Sequence, residues 1–240
     1  MTRKLRLCEQ NEFISFMRTL YIFLFLIGTA QLPAQRIIDR EVGDFREIKV
    51  FDLIEVNLIK ADENRILIKG HKVDDIQFVN RDGVLKLRME LEKKFQGEDT
   101  FIEVYYTDLR VIDANEGARV VCNELVEQDR IELRAQEGAR IEIGMKVRDA
   151  EIRAVTGGIV AASGLATNQV ITLNTGGIFE GRDLKTESSS IRVSAGGEAE
   201  LYASEEVDIQ IRAGGDVSVW GSPEKVYKDQ VFGGRIYFKD

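Results

Sequence analysis

Histidine and tryptophan occur once each in the 240 residues, at His71 and Trp220, and cysteine and proline only twice each. A single histidine excludes a multi-histidine metal site. No Gly-x-Ser-x-Gly, His-Glu-x-x-His or Walker-type stretch is present either. Two prolines against 21 glycines leave little linker and imply many turns that need left-handed or tight backbone. Long apolar runs are missing too. Leu20–Ile27 is the one uninterrupted stretch of note, and it falls well short of the ~20 residues that a membrane-spanning helix needs. After residue 40 no segment sustains apolar residues at i, i+3, i+4 and i+7, which excludes a helical fold.

The run Leu20–Ile27 follows Arg18 and precedes "GTAQLPAQ", the order of charge, apolar core and small residues found in a secretory signal peptide. Residues 1–34 are therefore expected to be a leader, cleaved after Ala30 or Ala34. A start at Met17 gives a cleaner one, because the preceding stretch carries Glu9 and Glu12. Cys8 lies before the apolar run, so it is no lipoprotein anchor. Removing the leader takes four of the 33 basic and two of the 41 acidic residues, leaving a net charge of −10. So acidic a chain argues against nucleic acid or an anionic membrane surface as the main partner. Cys122 is then the only cysteine, and no intrachain disulfide is possible. The expected destination is outside the cytoplasm: the periplasm, the outer membrane or the cell surface. No transmembrane segment is expected after cleavage.

What the chain has in place of these features is a repeat. Aligned on Gly117, Gly138, Gly157, Gly176, Gly196 and Gly214, the spacings are 21, 19, 19, 20 and 18 residues. Ile112/Ala114, Leu133/Ala135, Ile152/Ala154, Ile171/Leu173, Ile191/Val193 and Ile209/Ile211 stand five and three residues before each glycine. Val120/Cys122, Ile141/Ile143, Val160/Ala162, Phe179/Gly181, Ala199/Leu201 and Val217/Val219 stand three and five after it. The positions between are mostly polar, so each glycine is a corner between two half-buried strands. A unit of this size cannot bury its own apolar face, and stacking successive units does. The fold class predicted is all-β: a parallel β-helix with about 20 residues per coil and one strand ladder per column. Regular coils are expected over about 109–220 and a cap over 221–240, within a single domain at 35–240. Residues 45–113 read as a less regular start of the same solenoid. Candidate strands there are "FREIKV", "LIEVNLI", "RILIKG", "VLKLRM" and "FIEVYY", with a hairpin turn at Asp82-Gly83. Glu90–Thr100 reads as a charged loop.

The repeated "TGGI" at residues 156–159 and 175–178 is no phosphate loop, because an alternating strand follows it rather than a helix. Gly157 and Gly176 read as corners where a side chain would crowd the turn.

The stretches "FREIKVFDLIEVNLIKADENRILIKG" and "VDDIQFVNRDGVLKLRM", the glycine-corner repeats and the ending "GDVSVWGSPEKVYKDQVFGGRI" together resemble the auto-transporter adhesin head GIN domain family, from about Phe45 to Phe238. The resemblance implies a single-stranded right-handed β-helix of pectin-lyase-like kind, exported by Gram-negative bacteria, with no established catalytic residues. The repeats depart from the family's Ser-Gly-Ser/Ala corners, carrying Glu-Gly-Ala or Ala-Gly-Gly.

Several outward positions are candidates for chemistry. Glu180 and Glu200 fall on adjacent coils about 5 Å apart, the separation of a retaining glycosidase pair. With Glu198 and Asp216 they form an acidic patch of the kind that holds calcium weakly. A flat strand face gives neither acid the desolvation that catalysis needs, and no calcium-loop motif accompanies the four, so a solvated acidic face is the favoured reading. Arg134, Arg153 and Arg192 share a column and could grip carboxylated sugars; the Glu132/Glu151 column beside them argues for a self-neutralised sheet instead. Val121, Ile159, Ala161 and Ile178 form an outward apolar patch, the expected surface for homo-oligomerisation or a partner. Cys122 reads as a buried inert thiol, and Trp220 and Tyr227 as a plug for the end of the core or a sugar-stacking platform. No cofactor, metal or catalytic residue is expected. The function expected is that of a non-catalytic binding, adhesion or structural module for a surface glycan or protein. The alternative is a carbohydrate-active enzyme of the pectin-lyase-like type.

Overall fold

The computed structural model describes residues 36–70, 73–90, 92 and 100–240; the expected leader, His71 and most of the charged loop before Thr100 lie outside the described residues. Over the described residues the chain is all-β with almost no helix, a solenoid whose N-terminal part is the less regular.

Eight strands build that first part: β1 (Ile37–Glu41), β2 (Glu47–Val50), β3 (Glu55–Lys60), β4 (Arg65–Gly70), β5 (Ile76–Arg81), β6 (Val84–Met89), β7 (Thr100–Tyr106) and β8 (Val111–Ala114). The coil made by β2 and β3 is sandwiched out of sequence order. β2 pairs in parallel with β6 on one side and β8 on the other. β3 likewise lies between β7 and the start of β9 (Arg119–Gln136). Beyond them β4 runs antiparallel to β7, and β1 antiparallel to β4. β5 runs antiparallel to β6 through the Asp82-Gly83 turn, where both residues are left-handed (φ 53° and 77°). This end of the solenoid is thus closed by antiparallel strands that cannot continue the parallel stack.

From β9 onward the coils follow in sequence order. β9 pairs in parallel with β10 (Arg140–Val155), and β10 with β11 (Ile159–Asn174). β11 pairs with β12 (Ile178–Gly181) and β13 (Leu184–Ser194). β14 (Glu198–Tyr202) and β15 (Glu206–Arg212) come next, then β16 (Asp216–Trp220), β17 (Lys225–Val231) and β18 (Arg235–Lys239). Each coil has an approach face before its glycine corner, an exit face after it, and a return face that leads to the next coil. Every inward position of the six repeats is buried, so the core is a set of straight apolar ladders.

The corners differ from expectation in one physical respect. The glycine and the residue before it are both left-handed: Thr156 and Gly157 have φ of 50° and 72°, Thr175 and Gly176 48° and 71°. Their amides donate to the next corner along the stack, Thr156 N–H to Asn174 O at 3.2 Å and Gly157 N–H to Thr175 O at 3.1 Å. A side chain would not crowd Gly157 or Gly176, since a Cβ at either meets nothing within 4 Å. The crowded position is the next one. A Cβ on Gly158 would lie 2.1 Å from Ala135 O, and one on Gly177 2.0 Å from Ala154 O. Gly176→Ala is therefore expected to cost about 1–2 kcal/mol, from the left-handed backbone alone. Gly177→Ala should cost more, because the stacked backbone must move, which typically adds 1–3 kcal/mol. Urea denaturation of the two variants side by side checks the order. Equal midpoints would refute it.

The last coil is formed by β17 and β18, with a corner at Phe232-Gly233 (φ 58° and 87°). Two of its inward positions are polar: Lys228 stands opposite Ile209, and Gln230 opposite Ile211. The Lys228 ammonium lies 4.4 Å from the centre of the Phe238 ring. Gln230 Nε2 donates to Gly233 O at 3.1 Å and Gly234 O at 2.7 Å.

Candidate ligand-binding faces

On the exit face the outward residues form two columns. One runs Glu55, Arg119, Arg140, Ile159, Ile178, Glu198, Asp216, Arg235, and the other Asn57, Val121, Glu142, Ala161, Glu180, Glu200, Ser218, Tyr237. An ion-pair chain ties them together. Arg119 reaches Glu55 at 2.7 Å and Glu142 at 3.1 Å; Arg140 reaches Glu142 at 2.9 Å and Glu180 at 2.7 Å. Burial alone would raise the Glu142 carboxyl, but hydrogen bonds from Arg140 and Arg119 outweigh it and hold the group below its usual range. The Arg140–Glu180 pair spans the coil that carries Ile159 and Ala161. The four residues of the apolar patch are only half-buried, with this chain of charges crossing among them.

Register places Glu180 beside Glu200 and Glu198 beside Asp216, as their spacing in the sequence requires. The Glu180 carboxylate is held by Arg140, two coils away on the side opposite Glu200. Asp216 is held by Arg235, whose Nε lies 2.8 Å from Oδ1, and that hydrogen bond lowers the Asp216 carboxyl. Glu198 and Glu200 form no ion pair among the described residues. No group of three or more His, Cys, Asp or Glu side chains is placed to hold a metal ion among those residues.

The return face carries two irregularities. The spacing of 21 residues after Gly117 and 20 after Gly176 reflects short excursions at Asn123–Glu124, where the register shifts, and at Arg182–Asp183. Asn123, Glu124 and Asp183 from these excursions line a shallow, open recess of about 650 Å³ together with Ile143, Gly144, Ala162 and Ser163. The longer repeats after Gly117 and Gly176 are its trace in the sequence. Cys122 is buried opposite Ile143, and burial pushes its thiol up to about 12.

Trp220 and Tyr227 lie on different faces. Trp220 is in register with Tyr202 on the exit side, with the Arg182 guanidinium 3.9 Å from its ring centre. Tyr227 projects outward on the approach face and is 54% exposed. They share no platform, and neither plugs the core.

The approach face carries the arginine column Lys49, Asp113, Arg134, Arg153, Thr172, Arg192, Gln210, Asp229. Arg134 is engaged by Glu132 at 2.7 Å and Glu47 at 3.6 Å. Glu151, the expected neutraliser of Arg153, is taken by Arg130 at 2.6 Å. Arg153 therefore has no ion pair among the described residues, and Arg192 contacts only the Gln210 amide oxygen, at 3.2 Å. Among the described residues from Arg119 to Arg235, every other arginine is ion-paired or, for Arg182, stacked on an aromatic ring. The two exceptions flank Thr172 in one column. Around them lie Val170, 52% exposed, and the polar Ser190, Asn174 and Ser194.

A family model described as "Putative auto-transporter adhesin, head GIN domain" matches residues 44–223. The chain belongs to this head GIN domain family. Its solenoid is similar to a crystal structure of a "putative adhesin" from Bacteroides fragilis, with a TM-score of 0.79 at 18% identity over 87% of this chain and 98% of that one. A "putative lipid binding protein" from Parabacteroides distasonis gives 0.68 at 14% identity, covering 87% and 98%. A "putative adhesin" from Parabacteroides merdae gives 0.67 at 14%, covering 87% and 97%. At such identities the likeness is one of fold. No curated protein matches the chain.

Proposed function

We propose that this head GIN domain is a non-catalytic, exported binding module that attaches to acidic surface glycans through its approach face. One observation carries the reading: Arg153 and Arg192, neither ion-paired nor stacked on a ring, stand in a single column, on a flat face that also presents hydroxyls and an exposed valine. Guanidinium groups bind carboxylates in a fork of two hydrogen bonds, and side-chain hydroxyls suit sugar hydroxyls. The leader-like run Leu20–Ile27 and the adhesin description of the family support export and surface attachment. No helix among the described residues is long and apolar enough to cross a membrane. The lipid-binding description of one structural neighbour points to another ligand class, for which this charged face offers no apolar groove.

A glycan array tests the reading. The wild-type chain should retain uronate-bearing glycans over neutral ones, and Arg153→Gln/Arg192→Gln should lose that preference while keeping its far-UV circular dichroism. Equal retention by both proteins would remove the approach face as the site. Turnover of any polysaccharide that disappears in Glu180→Gln or Glu200→Gln would instead establish an enzyme.

A further inference from the structure

Resting on that reading, we infer that the ligand is a linear polysaccharide lying along the solenoid axis, with acid groups on every second sugar. Arg153, Thr172 and Arg192 occupy three consecutive steps of one column. Strand spacing sets those steps about 4.8 Å apart, so the two arginines leave the sheet about 9.6 Å apart along the axis, within reach of acid groups at that separation. One sugar of an extended chain advances by about one such step. An acid, neutral, acid sequence of three sugars therefore matches the column step for step. The acid sugars meet Arg153 and Arg192. The neutral sugar between them lies over the Thr172 hydroxyl and beside Val170, which offers an apolar surface to the C–H face of the ring.

The neighbouring coils limit the strip to this length. On one side Arg134 is already engaged by Glu132 and Glu47. On the other the column continues as Gln210 and then Asp229, which is paired with Arg212. A chain with an acid on every sugar would place a carboxylate over Thr172 with no cation beneath it. It would also bring further carboxylates towards Asp229. A chain with one acid per strand-length of sugars would use only one arginine. The arrangement thus selects charge period as well as charge sign, a selection that a uniformly basic patch lacks.

Fluorescence anisotropy with defined oligosaccharides tests this in the full chain. Probes are an alternating uronate/N-acetylhexosamine tetrasaccharide, the same length with a single uronate, a tetra-uronate, and a neutral control. The alternating probe should bind roughly three- to tenfold more tightly than the single-uronate probe, in line with one added exposed, charge-assisted contact. Arg153→Gln or Arg192→Gln alone should abolish that difference, with thermal midpoints unchanged. Tetra-uronate binding as tightly as the alternating probe would overturn the period while leaving the anion-binding face intact. If no acidic probe binds above the neutral control, both this inference and the proposed function fall. Equal competition by inorganic polyphosphate or DNA would overturn the assignment to polysaccharide.

Discussion

Phe179→Ala is expected to cost the solenoid about 3–5 kcal/mol, as loss of a buried aromatic side chain does. The Phe179 ring is 1% exposed and occupies the space that its coil leaves empty at Gly181. A Cβ on Gly181 would lie 2.1 Å from the ring. Gly181→Leu should also destabilise, by 1–3 kcal/mol or more, because neither group has room to yield. The double variant should not show the sum. In the next coil the same two positions, in register with Phe179 and Gly181, are Ala199 and Leu201. Phe179→Ala/Gly181→Leu copies that pair, keeping one large and one small group per layer. Its stability should return to within about 1–2 kcal/mol of wild type, a coupling on the order of several kcal/mol between contacting sites. Urea unfolding of the four proteins in the cycle measures it. Additive losses would mean that the ring and the missing side chain do not share one space.

Lys228→Val/Gln230→Ile should convert the chain into one that associates through its C-terminal end. The outer edges of β17 and β18 are unpaired among the described residues, and Val226 and Phe238 there are 40% and 44% exposed. An open parallel edge is a template for another strand. Inward Lys228 opposes stacking, since covering it would bury an ammonium group without a counter-charge. Gln230 uses its amide to satisfy two carbonyls of its own corner. Restoring apolar residues at both positions removes these obstacles. Sedimentation velocity should then show end-to-end dimers or longer species at concentrations where the wild type runs as one species. A double variant that sediments like wild type would show that other features of the coil guard the edge.

The glycine repeat and the inward columns were legible because a solenoid repeats one local rule. Period-2 alternation around a corner fixes which side chains point inward, and identical spacing then fixes the register. Ile152 over Ile171 and Glu180 beside Glu200 follow from counting alone. Three features escaped because they depend on contacts between coils. Nothing in "FDLIEV" marks Asp52 and Leu53 as a left-handed corner without glycine, and nothing local places β2 and β3 between β6/β7 and β8/β9. Nor could counting tell Gly157 from Gly158. Both are glycines at one corner, one required by its backbone angle and the other by the carbonyl of the coil below.

By itself, then, the sequence determined the coil, its period, its core columns and the column that holds Arg134, Arg153, Thr172 and Arg192. Those properties are set by the alternation of each strand. The tertiary structure decided which members of that column are free. Glu151 lies beside Arg153 in the sequence, yet its carboxylate turns across the stack to Arg130. Side-chain pairing between coils depends on reach and direction in space, and it is this choice of partners that leaves two arginines open to a ligand.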